Sequence, residues 1–306
     1  MVLAVRGRAA SLLLALVLAG CGSAAKEGPP PDPRMDQPNT AGNRALEMNQ
    51  PTVAIRQFRL ALTRAYERDD AGAIGDIGYN LAVAQLRAGL AEDAARTVRE
   101  TRNELELRRV APPADLILVQ AAVDYRLGAL DKALAATQEV LDRSPLDPGA
   151  AERAWFIRGA VLADRGDAQG LAQAIAALRA STQPDQEADR LELTGRAAVL
   201  AGAQEAAVTA FEQAADQRRL ALDYRGMARS LALAGDAQLR LGRTADAAAL
   251  FLRAGRSALL QGDTRTGMAL LDRADQLARQ AGLADIVSDV ERLKRSAAAR
   301  PSPTPS

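Results

Sequence analysis

The residue types that carry enzyme chemistry are scarce in this chain of 306 residues. It has no histidine, which excludes Ser-His-Asp and Cys-His catalysis and every His-ligated metal site. Its one cysteine, Cys21, permits neither an internal disulfide nor a thiolate zinc cluster, so neither a metal nor a cofactor is expected. Carboxylates remain. Glu104, Glu106, Asp164 and Asp167 are of the type that hydrolyses glycosides in pairs without histidine. Each of these acids falls on an amphipathic helix face or at a turn, where a solvated charge is the ordinary explanation. Asp69, Asp70, Asp131, Asp167 and Asp263 read as turn or helix-start residues. No glycine-rich phosphate loop follows a strand. The expectation is a protein that is not an enzyme.

The elements behind these residues are helical. Hydrophobic residues make up 48% and aromatics only 3%, with alanine and leucine dominant, a balance that suits helices over sheets. The formal net charge is +1. Losing residues 1–20, with Arg6 and Arg8, leaves 37 basic against 38 acidic residues. That near-neutral balance gives no electrostatic reason to bind nucleic acid.

Arg6 and Arg8 precede an apolar run over residues 9–19, too short to span a bilayer, which takes about 20 residues. Leu18-Ala19-Gly20-Cys21 follows at once. A charged start, a short apolar core and small residues before a lone cysteine make residues 1–20 a signal peptide. The four residues resemble the lipobox of bacterial lipoproteins, in which the cysteine is acylated and the chain is cut before it. The resemblance implies lipidation at Cys21 and anchoring to a membrane through acyl chains. With Gly22 in place of an aspartate, it implies the outer membrane of a cell envelope, facing the periplasm. Residues 21–40, with Pro29, Pro30, Pro31, Pro33 and Pro38, read as an extended tether, and residues 299–306 as a disordered tail.

Between them the sequence repeats. Asn49, Gly89, Gly128, Gly166, Gly202 and Gly242 recur 36 to 40 residues apart, each between two stretches of helical length. Seven residues before each stands a small residue: Gly42, Ala82, Ala121, Gly159, Gly195 and Gly235. Five after each come Ala54, Ala94, Ala133, Leu171, Ala207 and Ala247, and four further on Phe58, Val98, Thr137, Ile175, Phe211 and Phe251. The small positions are expected to face each other and let the helices approach, while the bulky position fills the gap to the next repeat. A plain helical bundle is the alternative, against which six in-phase copies argue.

This pattern, with Trp155 four before Gly159, resembles the tetratricopeptide repeat over about residues 41–262, and more loosely to Arg295. The resemblance implies an all-α fold: a right-handed superhelical solenoid of stacked antiparallel helix pairs over residues 41–298. Gly262 follows Gly242 by only 20, so Thr264–Gln280 and Leu283–Ser296 read as an atypical C-terminal pair that breaks phase and caps the solenoid.

In this family the first helix of each pair lines a concave groove. The groove positions fall here on Tyr79, Leu86 and Arg87, on Leu118, Tyr125 and Arg126, on Phe156, Ala163 and Asp164, and on Glu192, Val199 and Leu200. They continue at Ala232, Leu239 and Arg240. Tyr79, Arg87, Tyr125, Arg126 and Phe156 are the candidate partner-binding residues: aromatics supply contact area and arginine clamps carboxylates in bidentate fashion. The competing reading makes each aromatic a core residue and each arginine part of a solvated face. Arginine is also abundant, 36 against 3 lysines, so one groove arginine means little. The resemblance implies a lipid-anchored scaffold that holds protein partners and assists assembly of an envelope complex. Alternatives are a pilotin-like escort of one outer-membrane client and, less favoured, a cell-wall hydrolase.

Overall fold

The computed structural model describes residues 30–178 and 183–299. The segment read as a signal peptide, Cys21, the expected tether up to residue 29 and the expected tail from residue 300 lie outside the described residues. No helix among the described residues is long and apolar enough to cross a membrane.

Fourteen helices account for the described chain. They are α1 (Pro33–Glu47), α2 (Pro51–Glu67), α3 (Ala71–Arg87), α4 (Ala91–Leu107), α5 (Ala114–Arg126), α6 (Leu130–Leu141) and α7 (Pro148–Asp164). Then come α8 (Ala168–Ala177), α9 (Pro184–Leu200), α10 (Gln204–Leu220), α11 (Tyr224–Arg240), α12 (Thr244–Leu260), α13 (Thr264–Gln280) and α14 (Ala284–Ala298). Each packs against the next, giving an all-α solenoid of antiparallel helix pairs. The first helix lies partly in the segment read as tether. Pro33 opens α1, where a missing N–H costs nothing, and Pro38 inside it removes one helical hydrogen bond without stopping the helix.

One turn, repeated, sets the architecture. Neighbouring helices are joined by three residues, the middle one left-handed, at Asn49, Asp69 and Gly89 in the first half and at Gly202, Leu222, Gly242, Gly262 and Gly282 in the second; Arg109 is left-handed within the longer link 108–113. The amide after that residue reaches back to the third carbonyl from the helix end, as in Ala203 N to Ala198 O at 2.9 Å and Asp223 N to Arg218 O at 2.8 Å. This Schellman closure satisfies carbonyls that a helix end leaves orphaned. Asp70, Asp167, Asp223 and Asp263 cap the helices that follow, accepting from Ala73, Gly170, Gly226 and Thr266.

The turn corrects the phase expected at the C-terminus. Gly282 follows Gly242 as Gly242 follows Gly202, so α13 and α14 stay in register; the step of 20 to Gly262 is the ordinary helix-to-helix step. The pair differs only in burial, since Val290 is the one buried residue of α14, as suits a cap.

The packing rule also differs from the expected one. The residue against each small position of the first helix is the bulky one 16 residues later. A Cβ on Gly195 would meet the Phe211 ring at 2.5 Å, one on Gly42 the Phe58 ring at 2.5 Å, and one on Gly235 the Phe251 ring at 3.0 Å. From α12 to α13 the same step places Leu271 against Gly255 at 2.9 Å. In this half the quasi-repeat is therefore a single helix of 20 residues rather than the pair. Phe58, Phe211 and Phe251 are sealed in the core by this fit. Middle pairs depart from it: α8 has 10 residues, and Leu193 rather than Ile175 covers Gly159.

Leu222 occupies a left-handed position at φ 59° with 70% of its surface exposed. A side chain there costs about 1–2 kcal/mol, and glycine returns part of this through the unfolded chain. Leu222→Gly should raise the unfolding free energy by about 0.5–1 kcal/mol; equal or lower stability in urea titration would contradict this account of the turn.

Candidate functional site

Successive first helices pack on each other, α3 on α5, α5 on α7 and α7 on α9, which marks the inner layer of the solenoid. Arginines rung these layers together. Arg153 of α7 reaches Asp115 of α5 at 2.6 Å, Arg102 of α4 reaches Glu139 of α6 at 3.1 Å, and Arg243 pairs with Glu205 at 3.4 Å. The separations of 37 or 38 residues are one helix pair. The long guanidinium fork spans pair to pair, which accounts for the excess of arginine over lysine. Such exposed rungs contribute about 0–1 kcal/mol each.

One rung is buried. Glu192 on α9 is 1% exposed and accepts from Arg218 at 2.8 Å and from Arg229 at 3.0 and 3.1 Å through Oε2. Its Oε1 accepts from Arg196 at 3.4 Å. Arg218, itself buried, also binds Asp189 at 2.8 Å and Asp223 at 2.9 Å. Arg196 continues to Asp164 at 3.1 Å, and Asp164 accepts the Tyr125 hydroxyl at 2.6 Å. Two of these cations lie over the Phe156 ring, the Arg218 and Arg229 guanidinium carbons each 5.8 Å from its centre.

Burial alone would push the Glu192 carboxyl up, but Arg229, Arg218 and Arg196 outweigh it and hold it below its usual value. Asp189 goes the other way: burial leads, Glu192 adds repulsion, and the pKa is pushed up to about 6 despite Arg218 and Arg229. Opposed carboxylates can mark an acid–base pair. Here Glu192 is sealed from solvent under three guanidiniums, so the pair serves structure and not proton transfer.

The five candidate groove residues fall in two places. Tyr125 and Phe156 belong to the charge network, together with Asp164 and Glu192 from the other groove positions. Burial and nearby Asp115 raise the Tyr79 hydroxyl pKa, Arg153 and Arg87 opposing, and its ring packs on the core beside Val83 and Leu86. Arg87 and Arg126 are exposed near the turn ends of α3 and α5. Arg218, Arg229, Arg196 and Asp189 were not candidates. Arg218 sits on α10, a second helix, and reaches inward over its neighbours; no groove register includes it. Of the acids weighed for hydrolysis, Glu104 pairs with Arg108 at 2.5 Å, Asp167 caps α8, and Asp164 holds Tyr125 and Arg196.

The sequence matches no family model and no curated protein. Solved structures resemble the fold. A tetratricopeptide repeat protein from Parabacteroides merdae aligns with 85% of this chain and 100% of its own, at 14% identity and a TM-score of 0.48. The C-terminal part of a TPR repeat-containing protein from Cytophaga hutchinsonii aligns with 81% of this chain and 97% of its own, at 13% identity and a TM-score of 0.42. The TPR2AB domain of yeast Sti1, in a complex with pHSP90, aligns with 86% of this chain and 98% of its own, at 16% identity and a TM-score of 0.31.

Glu192→Gln should cost about 3 kcal/mol or more, since it leaves buried cations short of a counter-charge. Replacing Glu192 and Arg218 together by methionine should cost less than the sum of the single changes; additive losses in denaturant titration would deny the coupling. The pH dependence has a definite sign. A carboxyl whose folded pKa is raised favours the fold when protonated, so the Asp189 contribution is full below 3.8 and is lost as pH rises through about 6. Glu192 acts oppositely and loses its contribution as pH falls below 4.5. Asp189→Asn should therefore flatten the decline in stability between about pH 4 and pH 6. An unchanged profile would remove Asp189 from the network.

Proposed function

We propose that this protein is a lipid-anchored scaffold of the bacterial cell envelope that binds protein partners on its inner face and assists assembly of an envelope complex. The observation that carries the reading is the Phe156 region. Arg229 lies on the ring with 45% of its side chain exposed while its other edge is fixed by Glu192. A half-exposed cation on an aromatic, with its rotamer locked from behind, is pre-ordered for contact and loses little entropy on binding. Tyr79 and Tyr125 extend the same face, and aromatic and arginine anchors are the residue types that dominate protein interfaces.

The anchor is read from Leu18-Ala19-Gly20-Cys21, whose resemblance to a lipobox, with Gly22 after the cysteine, supports a position at the outer membrane, facing the periplasm.

A photo-crosslinking residue at Tyr79 or Arg126, on the inner layer, should form adducts with a discrete protein in cells. The same group at Leu60, exposed on α2, should not. Adducts from Leu60 alone would place the partner on the outer face and overturn the groove assignment. Cys21→Ser should move the folded protein from the membrane pellet to the soluble envelope fraction.

A further inference from the structure

The solenoid turns far enough to touch itself. The turns after odd-numbered helices lie on one edge and the starts of those helices on the other, and the two edges meet. Arg225, in the first turn of α11, donates to the Asn49 side-chain oxygen and to the Arg87 carbonyl at 3.4 Å, across 176 and 138 residues. A Cβ on Gly89 would lie 3.4 Å from the Arg265 guanidinium, and one on Gly262 would lie 3.5 Å from Asn49 Nδ2. The turns after α1 and α3 thus meet the starts of α11 and α13. Stacked repeats ordinarily touch only their neighbours, so this seam is a contact of a different order.

Residue type changes where the edges meet. The second residue of α3, α5, α7 and α9 is Gly72, Asp115, Gly149 and Asp185 in turn, whereas in α11 and α13 it is Arg225 and Arg265. A cation in the first turn opposes the helix dipole, so neither arginine serves its own helix. Among the described residues, both hydrogen bonds of the Arg225 side chain cross the seam. Closure has an electrostatic cost: burial leads in lowering the Arg225 pKa and Arg87 and Arg126 add repulsion, with Asp263 and Asp223 opposing.

Little apolar surface holds the edges together. Met48 beside Asn49, Leu222 and Tyr224 ahead of Arg225, and Leu260 ahead of Gly262 keep 65%, 70%, 44% and 66% of their surface exposed. A permanent interface buries such side chains at its centre. This one leaves them in water and closes on polar contacts, whose net contribution is modest. The far side of the seam is firmly mounted. Arg229, one turn beyond Arg225, is fixed on Glu192, and Asp223, which caps α11, pairs with Arg218.

We propose that Arg225, clasping Asn49 and the Arg87 carbonyl, is a latch that holds the superhelix shut along this seam, and that its release opens a lateral entrance to the inner face for a protein partner. The latch stands on the contacts above, while the entrance rests also on the scaffold reading. Helices α2 to α10 lie between the two sides, so a small change of angle at each turn sums to a parting of the seam with no helix broken. Glu192 and Arg218 keep α11 on α9 and α10 in both states, so the movement falls on the side of α1 to α4.

Double electron–electron resonance tests the latch on the full chain carrying Cys21→Ser, which leaves no native cysteine. Spin labels go on Met48→Cys and Leu260→Cys, exposed sites that flank the seam. The parent should give one dominant short distance. Arg225→Ala should raise the ratio of long to short distances about tenfold, as expected for losing a hydrogen bond made by a charged group. Asn49→Gly removes the side-chain acceptor yet suits the left-handed turn at φ 55°, so it should shift the ratio the same way and spare the turn. Both changes together should shift the logarithm of the ratio by less than the sum of the two. Arg256→Ala, which loses its pair with Asp289 away from the seam, should leave the distances as they were. Distances unmoved by Arg225→Ala and Asn49→Gly would overturn the latch. The entrance is read by photo-crosslinking from Tyr79 in cells, where Arg225→Ala should raise the adduct yield about twofold or more because more molecules stand open. An equal or lower yield with a parted seam would overturn the entrance. No adduct from parent or variant, with the distances moving as expected, would sink the scaffold reading and leave the latch standing.

Discussion

Everything regular in this molecule depends on the three-residue turn with a left-handed centre. It ends a helix by returning two amides to its last carbonyls, and it starts the next helix almost at once. Over α2 to α4 and again over α9 to α13, every helix has 17 residues and successive helices start 20 residues apart. The chain advances by a fixed rotation and translation, and a residue type placed at one position faces its counterpart one or two steps on. Glycine fills most of these positions because it carries no penalty there. Asn49, Asp69, Arg109 and Leu222 show that the geometry is imposed by packing on both sides and survives an unfavourable residue. Where insertions intervene, at residues 108–113, 142–147 and 178–183, α5, α6 and α8 are shorter and the Phe-on-Gly fit lapses.

Fixed phase is what makes an arginine-rich surface workable. An arginine meets an acid one pair away in rung after rung, so high charge density does not become self-repulsion. The same geometry carries charge inward at α9, α10 and α11, where second-helix Arg218 and first-helix Arg229 converge on Glu192. Phe156 lies under the two guanidiniums and supplies a surface on which cations can be desolvated. Fold and site therefore share one cause: the ladder that ties the pairs together becomes, where it is buried, the framework of the inner face.

Much of this was legible in the residues. The turn glycines and the small positions follow from spacing and the all-α class from composition and the repeat resemblance, while four groove positions, Tyr125, Phe156, Asp164 and Glu192, lie in one charge network. Two errors have physical sources. Counting in pairs concealed the equal helix step, so Gly262 looked out of phase when it is the counterpart of Leu222, a turn with no glycine to announce it. Proline-rich composition suggested a tether up to residue 40, whereas Pro33 is at a helix start and Pro38 costs a single bond that packing of Gly42 on Phe58 outweighs. Arg218 was out of reach: a residue on the second helix enters the inner face only through the length of its side chain, which no periodicity records. Nor does spacing reveal the closing contact of Arg225 with Asn49, set by the summed rotation of the nine helices between them.

A buried ionic network is seldom the most stable way to fill space, since apolar residues of similar volume often do as well or better. A solenoid selected for stability alone has at α9 to α11 an evident alternative, because the neighbouring layers are packed with Leu231, Phe251 and Leu271. What the network supplies is orientation. Glu192 faces three guanidiniums, Arg218 and Arg229 at Oε2 and Arg196 at Oε1, so Arg229 and Phe156 present a fixed pattern of charge and ring to the inner face. Arg225, one turn before Arg229 on the same helix, is held by the same logic, through the Asn49 amide and the Arg87 carbonyl in place of a carboxylate. Two successive turns of α11 thus each carry an arginine whose position is set by a distant part of the chain.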